Sequence, residues 1–419
     1  MARGKPGRQH LEVILDAPEL GPQRRLGILH RPLARSGLPA SFEYDPEWLA
    51  SDRAFQLDPR LELWTGEQHP PAKASAFGIF LDSAPDRWGR VLLERREAAV
   101  ATREHRPART LEELDFLLGV HDETRAGALR FRSSAGGPFL DDSETPVPPV
   151  ASLRELAAVS ARLEEPGAEK LREYERWLAL LIAPGTSLGG ARPKANFTDG
   201  GRLWIAKFPA REDRYDVGCW EALAHRLAKA AGVTVPESRL EALGGGYRTF
   251  CAVRFDRAGA GRRMFASAMT LLERRDGDPE ASYLDLAEFI SSHGASGRVE
   301  EDLHQLYRRV AFNVLIGNRD DHLRNHGFIR EAAGWRLSPA YDLNPNPWKA
   351  EHALTLDGAT AAGDPAVVLH TAELYRLKQR AAKTILEEVR VAVGRWRREA
   401  ARLGCPRDEI VRMENVIRA

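Results

Sequence analysis

Short apolar runs that alternate with polar residues open the chain: LEVILD at 11–16, RLGILH at 25–30 and SFEY at 41–44, separated by Gly, Pro and Asp. A period of two bounded by turn residues predicts a small antiparallel sheet. Over 77–95, FGIFLDSAPDRWGRVLLER passes through a Pro-Asp turn into helical spacing, with Trp88, Val91 and Leu92 on one face. Asp86 and Arg87 read as helix-start residues, since an aspartate there accepts an orphan backbone N–H and favours the positive end of the dipole. Another helix is expected near Leu111–Leu118. The stretch 133–150, SSAGGPFLDDSETPVPPV, is rich in Gly, Pro, Ser and Asp and reads as a linker at a domain boundary.

Helical spacing returns over 152–164 and 168–182, the second ending in WLALLIAP and stopped by Pro184 and Gly185. RLWIAKF (202–208) alternates as a strand, CWEALAHRLAKAAG (219–232) is helical, and 233–257 is strand-like again. Beyond Ala258 helix dominates. YLDLAEFISSH (283–293) is one segment; DLHQLYRRVAFNVLIGN (302–318) is another, with Leu303, Leu306, Val310 and Val314 at helical spacing. From about Ala372 to Leu403 the pattern predicts one long amphipathic helix, with Leu374, Leu377, Leu386, Val389, Val393 and Trp396 on or near one face and its Arg and Lys residues in solvent.

Composition narrows the class. A chain of 419 residues with 43% hydrophobic content can bury large cores and suggests two or three domains. Its 61 basic and 60 acidic side chains leave a net charge of +1, so no global excess points to direct nucleic-acid binding. Three cysteines, Cys219, Cys251 and Cys405, are far apart and odd in number, fitting neither a disulfide framework nor a cysteine-based zinc site. The first residues lack a signal-peptide core, and no apolar run approaches the ~20 residues needed to cross a bilayer. The expectation is a soluble cytoplasmic protein.

The chemistry concentrates in GNRDDHLRNHGFIREAAGWRLSPAYDL, Gly317 to Leu343. Asp320 and Asn325 stand in a D-x-x-x-x-N frame and Asp342 follows after an apolar run. Phosphoryl transfer requires such a set: one carboxylate to orient the attacking hydroxyl, and an amide oxygen with a second carboxylate to hold Mg²⁺ against the phosphates. Upstream, Gly185, Gly189 and Gly190 let backbone N–H groups approach an anion, and Arg192 and Lys194 add positive charge. Lys207 alternates with Trp204, Ala206 and Phe208 in an otherwise apolar strand, where a lysine needs a partner. Glu221 is the candidate. In a bilobal kinase the last strand leads to the hinge, so Val253, Arg254 and Phe255 are candidates for the adenine pocket. Two other readings stand beside the kinase. His322 and His326, at i and i+4, would share one helical face with Asp320 and Asp321 nearby, as in a metal-dependent phosphoesterase; or the chain is a degenerate, non-catalytic binding subunit.

SLGGARPK (187–194), WIAKFP (204–209), VRFDR (253–257), NRDDHLRNHGF (318–328) and LSPAYDL (337–343) together resemble the HipA-like toxin kinases, serine/threonine kinases of bacterial type II toxin–antitoxin modules. FLDSAPDRWGR (80–90) and AGALRF (126–131) resemble the N-terminal subdomain of that family. The resemblance covers nearly the whole chain. It implies an α+β, bilobal protein-kinase-like fold: a β-rich N-terminal subdomain over 1–132, a linker over 133–150, a kinase-like N-lobe over 151–257 and a helical C-lobe over 258–419.

By matching motifs, the resemblance implies that Asp320 orients the substrate hydroxyl and that Asn325 and Asp342 bind Mg²⁺. Gly189, Gly190, Ala191, Arg192 and Lys194 would form the phosphate loop; Lys207, Val253, Phe255 and His322 would contact ATP; Glu221, Arg324 and Tyr341 would support them. Ser187 matches the family's autophosphorylated loop serine. Phosphate there would add roughly −1.5 to −2 charge where ATP phosphate must sit, expelling the loop and silencing the enzyme. The sequence departs from better-known members at R-D-D-H-L-R-N (319–325), where they carry a T-D-G-H-A-K-N type loop; the extra acid, Asp321, is expected to alter substrate choice. The implied partners are a protein substrate bearing Ser or Thr and a small helix-turn-helix antitoxin that binds operator DNA, so DNA is reached mainly through the antitoxin.

Overall fold

The alternating runs at the start of the chain pair as antiparallel strands in a computed structural model, which describes residues 7–33, 38–133, 135–141, 147–182 and 190–418. Strands β1 (Arg8–Leu15), β2 (Arg24–Pro32) and β3 (Ser41–Tyr44), with β4 (Glu67–Gln68) and β5 (Leu129–Arg132), make a sheet in the order β4-β3-β2-β1-β5. Leu11 lies opposite Leu29 and Val13 opposite Phe131, and these side chains are buried with Leu26 and Phe42. The chain divides into two compact units, Met1–Ile205 with Asp256–Ala266, and Ala206–Phe255 with Ser267–Ala419.

In the first unit the helices are α1 (Pro46–Leu49), α2 (Gly78–Leu81), α3 (Arg87–Arg103), α4 (Glu113–Leu118), α5 (Leu153–Leu163) and α6 (Tyr174–Ile182). Asp86 caps α3 as its sequence position predicts, accepting from the Gly89 N–H at 2.8 Å. The helix expected from 168 begins only at Tyr174, because Gly167 takes a left-handed φ of 84° and a single 3-10 turn, Ala168–Lys170, intervenes. The Gly- and Pro-rich stretch is tied into this unit: Leu140 N donates to Phe131 O at 2.7 Å and Thr198 N to Pro148 O at 2.9 Å. Strands β6 (Lys194–Asp199) and β7 (Arg202–Lys207) follow, and Phe197 stacks on Trp204. The division between the units falls inside β7.

The second unit takes over at the end of β7. Helix α7 (Val217–Ala230) lies against β9 (Thr249–Val253), which pairs antiparallel with β8 (Ser238–Glu241). Gly218 permits that approach: a Cβ there would stand 2.3 Å from the Arg248 carbonyl oxygen. The chain returns briefly to the first unit through the small hairpin β10 (Arg257–Ala258) and β11 (Gly261–Arg262), where the buried Asp256 carboxylate accepts from Gly127 N at 2.9 Å and pairs with Arg257. It leaves through β12 (Phe265–Ser267).

Helices α8 (Ala268–Leu271), α9 (Tyr283–His293) and α10 (Val299–Ile316) then lead to a hairpin of β13 (Gly327–Glu331) and β14 (Gly334–Leu337). Leu303, Leu306, Val310 and Val314 are buried along α10 as their spacing predicts. The C-terminal part holds α11 (Pro365–His370), α12 (Gln379–Val393), α13 (Trp396–Leu403) and α14 (Arg407–Met413). The single long helix expected from 372 is therefore broken: Ala372–Tyr375 is a 3-10 turn closed by Arg376 at φ 57°, and α12 stops before Gly394. Leu374 is exposed, while Leu377, Leu386, Val389, Val393 and Trp396 are buried.

Two of the three cysteines meet in this unit although 186 residues separate them: Cys219 and Cys405, both free thiols, have their sulfurs 2.8 Å apart. Among the described residues no helix is long and apolar enough to cross a membrane.

Candidate active site

Lys207 ends β7 and is buried, so its charge must be balanced locally. Its ammonium donates to Glu221 Oε1 at 2.5 Å and to Asp342 Oδ1 at 2.6 Å. Glu221 is one helical turn beyond Gly218 on the face of α7 turned toward β9, so the close approach allowed by the glycine also places the carboxylate. Burial by itself would push the Lys207 ammonium down; the Asp342 and Glu221 carboxylates outweigh it and hold its pKa above the ordinary lysine value. Asp342 adopts a left-handed φ of 56°, which a non-glycine residue takes only at a cost. That conformation accompanies a carboxylate turned onto Lys207.

Gly317 caps α10 with a φ of 74°, and the chain turns at once into the acidic loop. Asp320 is exposed, and its Oδ1 accepts from the Lys349 ammonium. Asn325 is buried five residues on; its Nδ2 donates to the Asp320 carbonyl oxygen at 3.2 Å and its N–H to His322 O at 2.8 Å. With the side-chain N–H engaged, the amide oxygen is the Asn325 atom able to ligate a cation. Tyr341 donates to Arg324 O at 2.7 Å and stacks on Phe255, with ring centroids 5.3 Å apart. Arg324 itself reaches toward Asp276 at 3.5 Å. Val253 and Phe255, at and just past the end of β9, are half-buried, as an adenine-lining pair would be.

Asp321 does something other than its sequence position suggests. It is buried, and one oxygen, Oδ2, takes bonds from Tyr283 Oη at 2.6 Å, Asn313 Nδ2 at 2.6 Å and the His326 Nε2 at 2.7 Å. Its carboxylate anchors the loop from beneath, and so does not face a substrate. The helical face shared by His322 and His326 is absent too: both have extended backbone, flanking a 3-10 turn at Leu323–Asn325, and His326 is buried on Asp321. Among the described residues no group of three or more His, Cys, Asp or Glu is placed to hold a metal. The shared histidine face proposed for a phosphoesterase is therefore not formed.

In the first unit, the glycine loop is described only from Gly190; Ser187 and Gly189 lie outside the described residues. Gly190 and Ala191 are exposed, with open space where a Gly190 Cβ would stand, and Arg192 is half-buried. Lys194, expected to offer its charge to phosphate, is buried: its ammonium donates to Asp86 Oδ2 at 2.7 Å and to Gly190 O at 2.6 Å. A lysine inside a core needs a carboxylate, and the α3 cap supplies it. Lys194 therefore ties the end of the loop to α3.

The model of the HipA-like C-terminal domain matches residues 186–396, half of the chain. The chain belongs to the HipA-like family. Its fold matches that of a Shewanella oneidensis MR-1 chain in a structure of the toxin–antitoxin system HipA, HipB and its operator DNA, with a TM-score of 0.63 over 97% of this chain and 94% of that one, at 18% identity. The architecture is the α+β, kinase-like one that the motifs implied. A curated Haemophilus influenzae protein named "Putative kinase" is 30% identical over 132 residues, 28% of this chain; the match spans 38% of that protein's length.

The donors of this HipA-like chain suit Mg²⁺. Asn325 offers an amide oxygen and Asp342 a carboxylate held in place by Lys207, and a magnesium ion is ordinarily held by one or two such hard oxygens plus phosphates and water. Sequence reading singled out Lys207, Glu221, Asp320, Asn325 and Asp342, of which the structure bonds Lys207 to Glu221 and Asp342, and Asn325 to the Asp320 backbone. It missed Tyr283 and Asn313 beneath the loop and Lys349 above it, and it read His326, which binds Asp321, as a metal candidate. The Asp-Asp doublet was the only signal for the first group; for Lys349 there was none.

Proposed function

We propose that this chain is a serine/threonine protein kinase using ATP and Mg²⁺, the toxin of a type II toxin–antitoxin module, silenced by phosphorylation of its own Ser187. The observation that carries this reading is the Lys207 ammonium bonded to both Glu221 and Asp342. In kinases a buried strand lysine paired with a helix glutamate contacts the α/β-phosphates, and the acid that follows the catalytic loop holds metal.

On this reading Asp320 orients the acceptor hydroxyl and takes its proton, and Asn325 and Asp342 hold Mg²⁺. The metal, when bound, neutralises charge on the phosphates. Lys207 fixes the phosphates, Val253 and Phe255 line the adenine, and Tyr341 braces Phe255 while its hydroxyl holds the backbone at Arg324. The half-buried His322 contacts the nucleotide on this reading. Gly189, Gly190, Ala191 and Arg192 supply backbone N–H groups and charge to phosphate, and Lys194 holds the base of that loop. The partner is a HipB-like helix-turn-helix antitoxin that carries the DNA contact; the near-neutral chain supports that division of labour. The substrate is a protein serine or threonine in the cytoplasm.

The test is intact-mass spectrometry of wild type, Asp320→Ala and Asp342→Asn after incubation with Mg²⁺-ATP, with peptide mapping. Asparagine tolerates the left-handed backbone at 342, so that variant keeps its fold. Phosphate on Ser187 of the wild type alone is expected. A wild type that takes up no phosphate and has no affinity for ATP would make the chain a binding subunit; hydrolysis of a phosphate ester without ATP would make it a phosphoesterase.

A further inference from the structure

The segment after Asp342 is built back onto the acidic loop. Asn346 N donates to Gly317 O at 2.9 Å, and the Asn346 side-chain oxygen accepts from the backbone of Trp348 at 2.9 Å and of Lys349 at 3.0 Å. The Arg319 guanidinium donates to Lys349 O at 2.8 Å, and Arg319 O accepts from Ala353 N at 3.1 Å. Arg319 is the residue before Asp320, and it is buried. Together these bonds fix the backbone of Lys349 on both sides, and the Lys349 ammonium reaches Asp320 Oδ1.

An ion pair whose side chains are 47% and 52% exposed adds little to stability. So much scaffolding for so weak a pair points to placement of charge. Among the described residues Lys349 is the cation bonded to the Asp320 carboxylate, whereas Lys207 is held by Glu221 and Asp342, the place from which it meets the nucleotide on that reading, and Arg324 reaches toward Asp276. Phosphoryl transfer spreads negative charge over the oxygens of the group in flight, and cations beside it lower the barrier.

Resting on the kinase reading above, we propose that Lys349 is a further catalytic residue, the acceptor-side cation that contacts the transferred phosphoryl group. By binding Asp320 Oδ1 it leaves Oδ2 for the acceptor hydroxyl. The acceptor oxygen bonds to the γ-phosphorus as the bond from that phosphorus to the β–γ bridging oxygen breaks. The hydroxyl proton passes to Asp320, and ADP leaves with the electron pair. The ammonium stands where the acceptor oxygen, the carboxylate and the phosphoryl oxygens converge.

The experiment uses the full chain as wild type, Lys349→Met and Lys349→Arg. The single-turnover rate of self-phosphorylation is measured against Mg²⁺-ATP concentration, and acetylation of the Lys349 amine by an activated ester is followed with and without a non-hydrolysable Mg²⁺-ATP analogue. Lys349→Met is expected to lower the limiting rate by about 30-fold or more, in the range lost with one transition-state contact, while half-saturation by ATP stays within about twofold; arginine restores part of the rate. In the wild type the analogue slows acetylation of Lys349 at least about threefold, as a contact made by the ammonium requires. Wild type that takes up phosphate while Lys349→Met matches it, or an amine equally reactive with the analogue bound, overturns this inference alone. Wild type that neither takes up phosphate nor binds the analogue overturns the kinase reading, and this inference with it.

Discussion

The Lys207 ammonium lies 2.6 Å from Asp342 Oδ1, a bond between residues 135 apart in the chain, and the same ammonium lies 2.5 Å from Glu221. One buried cation thus links the end of β7, helix α7 and the turn after β14. Each carboxylate has a separate task on the kinase reading: Glu221 is enclosed and positions the lysine, while Asp342 is partly open and faces metal.

Glu221→Gln should separate those tasks. The amide keeps the shape and one hydrogen bond but removes the charge, so Asp342 is left as the one carboxylate bonded to Lys207. The expected result is a fall of about 10- to 100-fold in kcat/KM for ATP with a stability loss of about 1–3 kcal/mol. Steady-state kinetics and urea unfolding measure both, and unchanged kinetics in a folded variant would show that the pair is not needed to place the lysine.

Asp321 should set an acid limit to stability. Burial favours its protonated form, but His326, the Tyr283 hydroxyl and Arg309 outweigh burial and hold its pKa below the usual carboxylate value. A carboxylate depressed in the folded state stabilises at every pH above its unfolded value of about 4, and that stabilisation is lost as pH falls through the folded value. Asp321→Asn is expected to cost about 2–4 kcal/mol at pH 7 and to flatten the loss below pH 4. Urea midpoints at pH 7 and pH 3.5 check this; parallel losses in variant and wild type would mean that Asp321 does not titrate as the geometry requires.

Much of this was legible from local pattern. Alternation gave β1 to β3, helical spacing gave α10, and the D-x-x-x-x-N frame with Lys207 and Glu221 gave the candidate site, because each depends on neighbours a few residues away or on a burial rule that applies to any lysine in an apolar strand. What depended on distant partners was hidden. Asp321 reads as a second acid beside Asp320, and only the fold brings Tyr283 and Asn313 to it. Lys194 reads as a phosphate cation because nothing in its surroundings announces Asp86, 108 residues earlier. The breaks at Arg376 and Gly394 escaped notice because the apolar spacing of the C-terminal helices continues across them, so periodicity alone does not distinguish one helix from two in register.

His225 provides a second acid dependence in a different pH window. It sits one turn beyond Glu221 on α7, buried, with its ring centroid 4.7 Å from that of Phe250, and neither ring nitrogen has a hydrogen-bond partner. Burial, and after it the charge of Lys207, pushes its pKa down from 6.5 to about 3. Between those values the unfolded chain binds the proton and the folded chain does not, so stability rises with pH through this window and falls on acidification, by up to about 1.4 kcal/mol per pH unit. Asp321 is still ionised at pH 5 in both states, and His352, also held down to about 4 by burial, titrates alike in wild type and variant, so the difference between the two chains at pH 5 reports His225. His225→Leu removes the titration and the two unsatisfied nitrogens together. It is expected to be neutral or mildly stabilising at pH 7.5, and to lose about 1–2 kcal/mol less than wild type between pH 7.5 and pH 5. Equal losses in urea unfolding at the two pH values would show that the imidazole accepts its proton in place, and that α7 opens far enough there to let water reach it beside Lys207.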